Sequence, residues 1–147
     1  MSDTVKPGDL FFFYGLLRKG AMGAPEHIDF EGCGVFLDDA FMRGDLFSLG
    51  GFPGIVDGDG LVTGVLYRLD DLAILPALDA FEDYFPEAPE RSMYLRIVRE
   101  VLSETGAGTG RNAWVYWYNR DITGCPKIET GLWPLTSGNR YGEGART

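Results

Sequence analysis

The 147-residue sequence predicts one β-rich α+β domain, a small mixed β-barrel carrying one or two short helices. Three observations lead there. The 21 glycines and 8 prolines cut the chain into short apolar runs rich in β-branched and aromatic residues, the pattern of many strands joined by turns. Only one segment, residues 70–83, places its apolar residues at helical spacing. The length suits a single domain with a substantial core, and no internal repeat or composition shift marks a boundary. Many short strands have edges that must be closed or covered, which favours a barrel.

Residues 10–14 form a continuous apolar run ending at Gly15, expected as a buried strand. Residues 34–37 and 41–49 are expected as a second and a third strand. Gly50-Gly51-Phe52-Pro53-Gly54 is expected as a turn, because glycines and a proline hold no regular ladder. Asp57 and Asp59 sit in a D-G-D-G stretch also read as a turn; a calcium loop would need more oxygen ligands and a distal glutamate. A strand over residues 61–69 leads into the helical segment. Asp70 or Asp71 can cap that helix, and Leu72, Leu75, Leu78 and Glu82 share its spacing. Pro76 is comfortable only in a first turn, so the helix proper is expected to begin near Leu75. Residues 94–102 alternate and pass through a glycine-rich turn at 106–110 to an aromatic strand at 113–118. The domain is expected to span residues 1–136, with a polar, glycine-rich tail at 137–147.

The formal net charge is -9, and an acidic surface repels phosphate backbones, so nucleic acid is excluded as the expected partner. No apolar run approaches the length of a membrane span, and the start of the chain does not read as a signal peptide. A cytoplasmic protein is the expectation. Cys33 and Cys125 are far apart in sequence and form no C-x-x-C pair. His27 is the sole histidine, which removes most zinc sites and weakens a nucleophile–histidine reading.

Two places could carry chemistry. On a helical wheel Glu82 falls within the apolar arc near Leu75 and Leu78, with Asp79 and Asp83 at its edge. Desolvation and the negative end of the helix dipole both disfavour its ionised form, which suits a general acid/base. On spacing alone it could equally be a glutamate that reaches the surface or bonds a backbone amide. The second place is Tyr14-Gly15-Leu16-Leu17-Arg18, where a buried strand ends in a turn. Backbone N–H groups in such a turn can converge on a carboxylate or an oxyanion, with Tyr14 adding a hydroxyl and Arg18 a fixed charge. An ordinary strand-end turn fits the same residues.

The order of the landmarks is more specific than any one of them. Tyr14-Gly15-Leu16-Leu17-Arg18-Lys19-Gly20 resembles the tyrosine-glycine-serine/threonine-leucine loop of the gamma-glutamylcyclotransferase-like family. Gly50-Gly51-Phe52-Pro53-Gly54 is similar to its glycine/aromatic-proline-glycine turn, and Gly64-Val65-Leu66-Tyr67 to the strand before its helix. Leu78-Asp79-Ala80-Phe81-Glu82-Asp83-Tyr84 resembles the segment with the family's catalytic glutamate. Tyr94-Leu95-Arg96, Ala113-Trp114-Val115-Tyr116 and Ile128-Glu129-Thr130-Gly131-Leu132-Trp133 resemble later landmarks, so the likeness runs over about residues 10–133. Two departures stand out. Leu16 replaces a hydroxyl residue, and Asp83 replaces a glycine, placing a further negative charge beside Glu82 that could raise its pKa or alter substrate choice.

The resemblance implies a cyclotransferase of the gamma-glutamylamine type that releases 5-oxoproline and a free amine, a lyase-type reaction with no metal or cofactor. It implies Glu82 as base and then acid, and the Tyr14–Leu17 loop as holder of the glutamyl group through backbone amides. Tyr94 and Tyr116 would line the pocket, and Arg18 could pair with the substrate carboxylate or face solvent. The expected partner is a small-molecule gamma-glutamyl substrate, with neither nucleic acid nor membrane, on a monomer or weak homodimer. Three alternatives stay open at this level: a binding module on the same fold that turns nothing over, a thiol hydrolase using Cys33 or Cys125, and a structural or interaction domain.

Overall fold

The computed structural model describes residues 4–15, 17, 25 and 27–133. Leu16, Arg18 and the tail at 137–147 therefore lie outside the described residues. Five strands and two short helices make up the described fold: β1 (Asp9–Phe13), α1 (Phe30–Cys33), β2 (Gly34–Ser48), β3 (Pro53–Leu69), α2 (Leu75–Phe81), β4 (Tyr94–Leu102) and β5 (Gly108–Tyr118). The strand order is β1-β3-β2-β4-β5, and the sheet closes on itself where β5 meets β1 in parallel at Phe11 and Trp114. The β1–β3, β3–β2, β2–β4 and β4–β5 pairs are antiparallel.

Side-chain alternation divides the core in two. Phe11, Phe13, Tyr67, Leu69, Tyr94, Trp114 and Tyr116 pack with Ile28, Cys33, Ile74 and Leu78, so the helical segments cover this face. Phe12, Tyr14, Leu66, Val62, Val115 and Trp117 point the other way and pack with Met42, Leu46, Ile55 and Trp133. A strand buried on both faces has no polar position to alternate with, which is why residues 10–14 read as an unbroken apolar run.

Four sequence expectations are corrected by the register. Residues 34–37 and 41–49 are not separate strands: both belong to β2, with an irregularity between Phe36 and Asp39. Pro53 and Gly54 are not in the turn; they open β3 opposite Ser48 and Phe47, the first position of a strand being one that proline accepts. The D-G-D-G stretch does not separate two strands. It lies within β3, where Val56 to Leu61 spans five steps against two on β2, from Asp45 to Arg43. Asp45 holds this bulge by accepting from the Gly60 N–H at 3.0 Å, and a Cβ at Gly58 would strike its carboxylate. Gly108 and Gly110 likewise lie in β5 rather than in the preceding turn. The one-turn helix α1, capped by Asp29 on the Gly32 N–H, is too short to leave a periodic signal.

The helical segment begins with a 3₁₀ turn, Leu72–Ile74, capped by the Asp71 carboxylate on the Ala73 N–H. Asp70 instead pairs with Arg68 at 2.9 Å. Pro76 sits in the first turn of α2, as its ring requires. Beyond β5 the chain returns to β3: Gly131 accepts from the Thr63 N–H at 2.8 Å with its own φ at +72°. A Cβ on Gly131 would run into the Leu61 carbonyl. Gly131→Ala should therefore cost about 1–3 kcal/mol, read as a lower urea midpoint with unchanged slope.

Candidate active site

Glu82 is the C-cap residue of α2. Its position is set by a two-bond helix stop: the Tyr84 N–H donates to the Asp79 carbonyl at 2.9 Å and the Asp83 N–H to the Ala80 carbonyl at 3.1 Å. Closure of that stop puts the residue after the cap in the left-handed region, and Asp83 has φ of +57°. This is the backbone position at which the resembling family carries glycine, and nothing in the structure explains why aspartate stands there. The expectation that its charge perturbs Glu82 is corrected: Asp83 is exposed, and burial alone accounts for the displacement of the Glu82 carboxyl. Glycine occupies left-handed backbone without the Cβ penalty. Asp83→Gly should raise stability by about 0.5–1 kcal/mol in thermal unfolding.

Glu82 borders a pocket of about 60 Å³ together with Phe12, Phe13, Tyr14, Gly15, Leu17, Phe52, Pro53, Phe81, Tyr94 and Tyr116. Among the described residues nothing hydrogen-bonds or ion-pairs with its carboxyl group. Burial pushes that carboxyl from 4.5 up to about 8. A carboxyl group with a free edge, facing a cavity and titrating close to neutrality, can take a proton and return it.

Three tyrosines surround it, each anchored by its hydroxyl. Tyr14, just past the end of β1, donates to the Tyr116 carbonyl at 2.7 Å and accepts from the Ile55 N–H at 3.3 Å. Tyr94, at the start of β4, donates to the Pro53 carbonyl at 2.6 Å. Tyr116 donates to Asp79 Oδ1 at 2.7 Å. Burial raises all three phenols, and the charge of Glu82 adds to the rise in each, so all three sit within its field. The phenols stay protonated across the working range of an enzyme.

The β4–β5 ladder explains this grouping. Arg96 pairs with Tyr116 and Tyr94 with Tyr118, so all four side chains share one face. That face lies under α2, and Arg96 reaches Asp79 there with two parallel contacts, Nε–Oδ1 at 3.0 Å and Nη2–Oδ2 at 3.3 Å. The side chains are 8% and 12% exposed, so the pair is essentially buried. The guanidinium is also 5.2 Å from the ring centroids of both Tyr84 and Trp114. Gly15 completes the wall: a Cβ there would come within 2.8 Å of the Pro53 ring.

The structure thus brings together Glu82, Tyr14, Gly15, Leu17, Tyr94 and Tyr116. Leu16 and Arg18 lie outside the described residues. Sequence reasoning missed Asp79, Arg96, Phe52 and Pro53. Asp79 stands three residues before Glu82, and Arg96 two residues after Tyr94, so helix and strand periods were available signals. Cys33 does not line the pocket, and burial raises its thiol, which opposes a thiolate nucleophile there. Among the described residues no helix is long and apolar enough to cross a membrane.

A five-stranded sheet, few short helices and an aromatic pocket bordered by a carboxyl group without a hydrogen-bond partner among the described residues define a small α+β protein. Residues 11–135 match the family described as gamma-glutamyl cyclotransferase, AIG2-like, and the chain belongs to that family. It is 35% identical over 122 residues to the gamma-glutamylcyclotransferase family protein YtfP of Escherichia coli K12, covering 83% of this chain and 93% of that one. The corresponding Citrobacter rodentium protein is 38% identical over 129 residues, with coverage of 83% and 92%. Among solved structures, an AIG2-like protein from Mus musculus superposes with a TM-score of 0.60 at 24% identity, over 92% of this chain and 100% of that chain, which shows a shared fold. YkqA from Bacillus subtilis gives a TM-score of 0.58 at 27% identity, over 86% of this chain and 39% of that chain.

Proposed function

We propose that this protein is a gamma-glutamyl cyclotransferase that converts a gamma-glutamyl amine into 5-oxoproline and the free amine, with Glu82 as its acid/base. The observation that carries the reading is the unpaired Glu82 carboxyl group, held at a helix end in a pocket where burial brings it to about 8. Family membership supplies the reaction class. The reaction is intramolecular, so the protein has to curl the glutamyl chain and bring amine and carbonyl together. Ionised Glu82 takes a proton from the α-ammonium. The freed nitrogen pair attacks the gamma-carbonyl carbon and a C–N bond forms. Glu82 gives that proton to the leaving nitrogen, takes the second proton from the now cationic ring nitrogen, and returns it to the amine as the tetrahedral adduct collapses by breaking the bond to the leaving nitrogen. Two protons pass in all from the α-nitrogen to the leaving amine, no water is consumed, and Glu82 ends as it began.

The loop from Tyr14 to Leu17, whose described residues line the pocket, is the proposed holder of the glutamyl group through backbone N–H groups, which also steady the oxyanion. The decisive experiment incubates the protein with a panel of gamma-glutamyl amines and measures 5-oxoproline. Release from at least one member, lost in Glu82→Gln, is expected. Binding of the panel without any release would instead favour a non-catalytic binding module on the same fold.

A further inference from the structure

A phenol has one proton and two lone pairs. In this pocket each phenol proton is already committed to an acceptor of the protein itself. Tyr14 gives its proton to a backbone carbonyl and so does Tyr94. Tyr116 gives its proton to Asp79, and Asp79 is held for that purpose by two contacts from Arg96. The other side chains of the described wall are hydrocarbon, from Phe12, Phe13, Leu17, Phe52, Pro53 and Phe81. What the phenols offer a ligand is therefore lone pairs, to which Glu82 adds a carboxylate when ionised and an O–H donor only while protonated. Such side chains suit an ammonium group, while the substrate carboxylate is left to the backbone N–H groups of the Tyr14–Leu17 loop.

We propose that Tyr116, its proton fixed on Asp79 by the Asp79–Arg96 pair, is a hydrogen-bond acceptor for the α-ammonium of the substrate and a determinant of specificity for it. This rests on the cyclotransferase reading of the same pocket. Asp79 and Arg96 are then positioning residues: they touch no substrate but decide which way the Tyr116 hydroxyl points. Were the proton free to swing inward, the hydroxyl would present a donor to a cation.

Two ligands identical except for the α-amine test this, gamma-glutamyl methylamide and glutaryl methylamide. Binding of each is measured calorimetrically to Glu82→Gln, which does not turn over, and to Glu82→Gln with Tyr116→Phe. The phenylalanine keeps the ring and removes only the oxygen. The aminated ligand is expected to lose about tenfold to a hundredfold in affinity, the range for a hydrogen bond to a charged group, while the glutaryl ligand is unchanged. Asp79→Asn in the same background should weaken the aminated ligand selectively as well, its folding checked by circular dichroism. Equal loss for both ligands, or no loss for either, overturns the assignment. No binding of either ligand overturns it together with the reading beneath. Selective loss alongside wild-type protein that releases no 5-oxoproline sinks the turnover reading alone and supports the ammonium site.

Discussion

Glu82→Gln should reduce 5-oxoproline release by at least about a hundredfold, the lower end of what a positioned acid/base contributes. The wild-type pH profile gives an independent check. The base must be ionised in the free enzyme, so kcat/KM should fall about tenfold per pH unit below about 8 and level off above it. A limb near 4.5 instead would mean that the carboxyl is hydrated in solution and that its burial does not govern its titration. The same substitution should also change stability, in the opposite direction from activity. The folded protein holds the Glu82 proton up to about 8, whereas the unfolded chain releases it near 4.5. Folded-state stability from this group is complete below 4.5, declines as pH rises between those values, and is flat above about 8. Full desolvation would set the decline at about 5 kcal/mol, and the pocket-facing carboxyl reduces that figure. Glutamine does not ionise. Glu82→Gln should match the wild type at pH 4 and exceed its urea midpoint at pH 8, a catalytic group held at a cost to the fold. A variant less stable at pH 8 than at pH 4, relative to the wild type, would refute this account.

Arg96→Ala is expected to destabilise the protein by about 3–5 kcal/mol, because it leaves the Asp79 carboxylate buried with only Tyr116 as partner. It also removes the guanidinium from between the Tyr84 and Trp114 rings. For a domain whose whole stability is about 5–15 kcal/mol, that is a large fraction. Arg96→Lys should recover only part, since an ammonium cannot make the two parallel contacts with Asp79. Combining Arg96→Met with Asp79→Leu should be less damaging than Arg96→Ala, since no unpaired charge remains. Urea unfolding of the four proteins checks the order. If Arg96→Ala cost less than about 1 kcal/mol, the pair would be hydrated in solution and its hold on Tyr116 would go with it.

Much of this fold was legible because local rules and tertiary demands agreed. Residues 94–102 alternate, and β4 has those bounds. Pro76 placed the start of α2, and Glu82 within the apolar arc of a short helix pointed to the pocket. Legibility failed where packing overrode a local rule. Pro53, Gly54, Gly58, Gly60, Gly108 and Gly110 read as turn residues, yet all lie in strands. At Gly54 and Gly58 the reason is close approach, to Tyr118 and Asp45 respectively, where a side chain would not fit.

From the sequence alone come the β-rich α+β class, the order of elements around one helix, the family resemblance, and Glu82 as the leading candidate. Those follow from periods and from landmarks that are local in the chain. Three things were decided only in three dimensions. The sheet closes by bringing β5 to β1, which joins Tyr14 to Tyr116 across 102 residues. The ladder between β4 and β5 puts Arg96 beneath α2, where it meets Asp79. Asp83 takes the left-handed backbone angle that closes the helix stop, and burial rather than its charge displaces the Glu82 carboxyl. Hydrogen bonds and desolvation act between atoms that no sequence spacing makes neighbours, so the direction of a phenol proton, and with it what the pocket can hold, is settled by the fold.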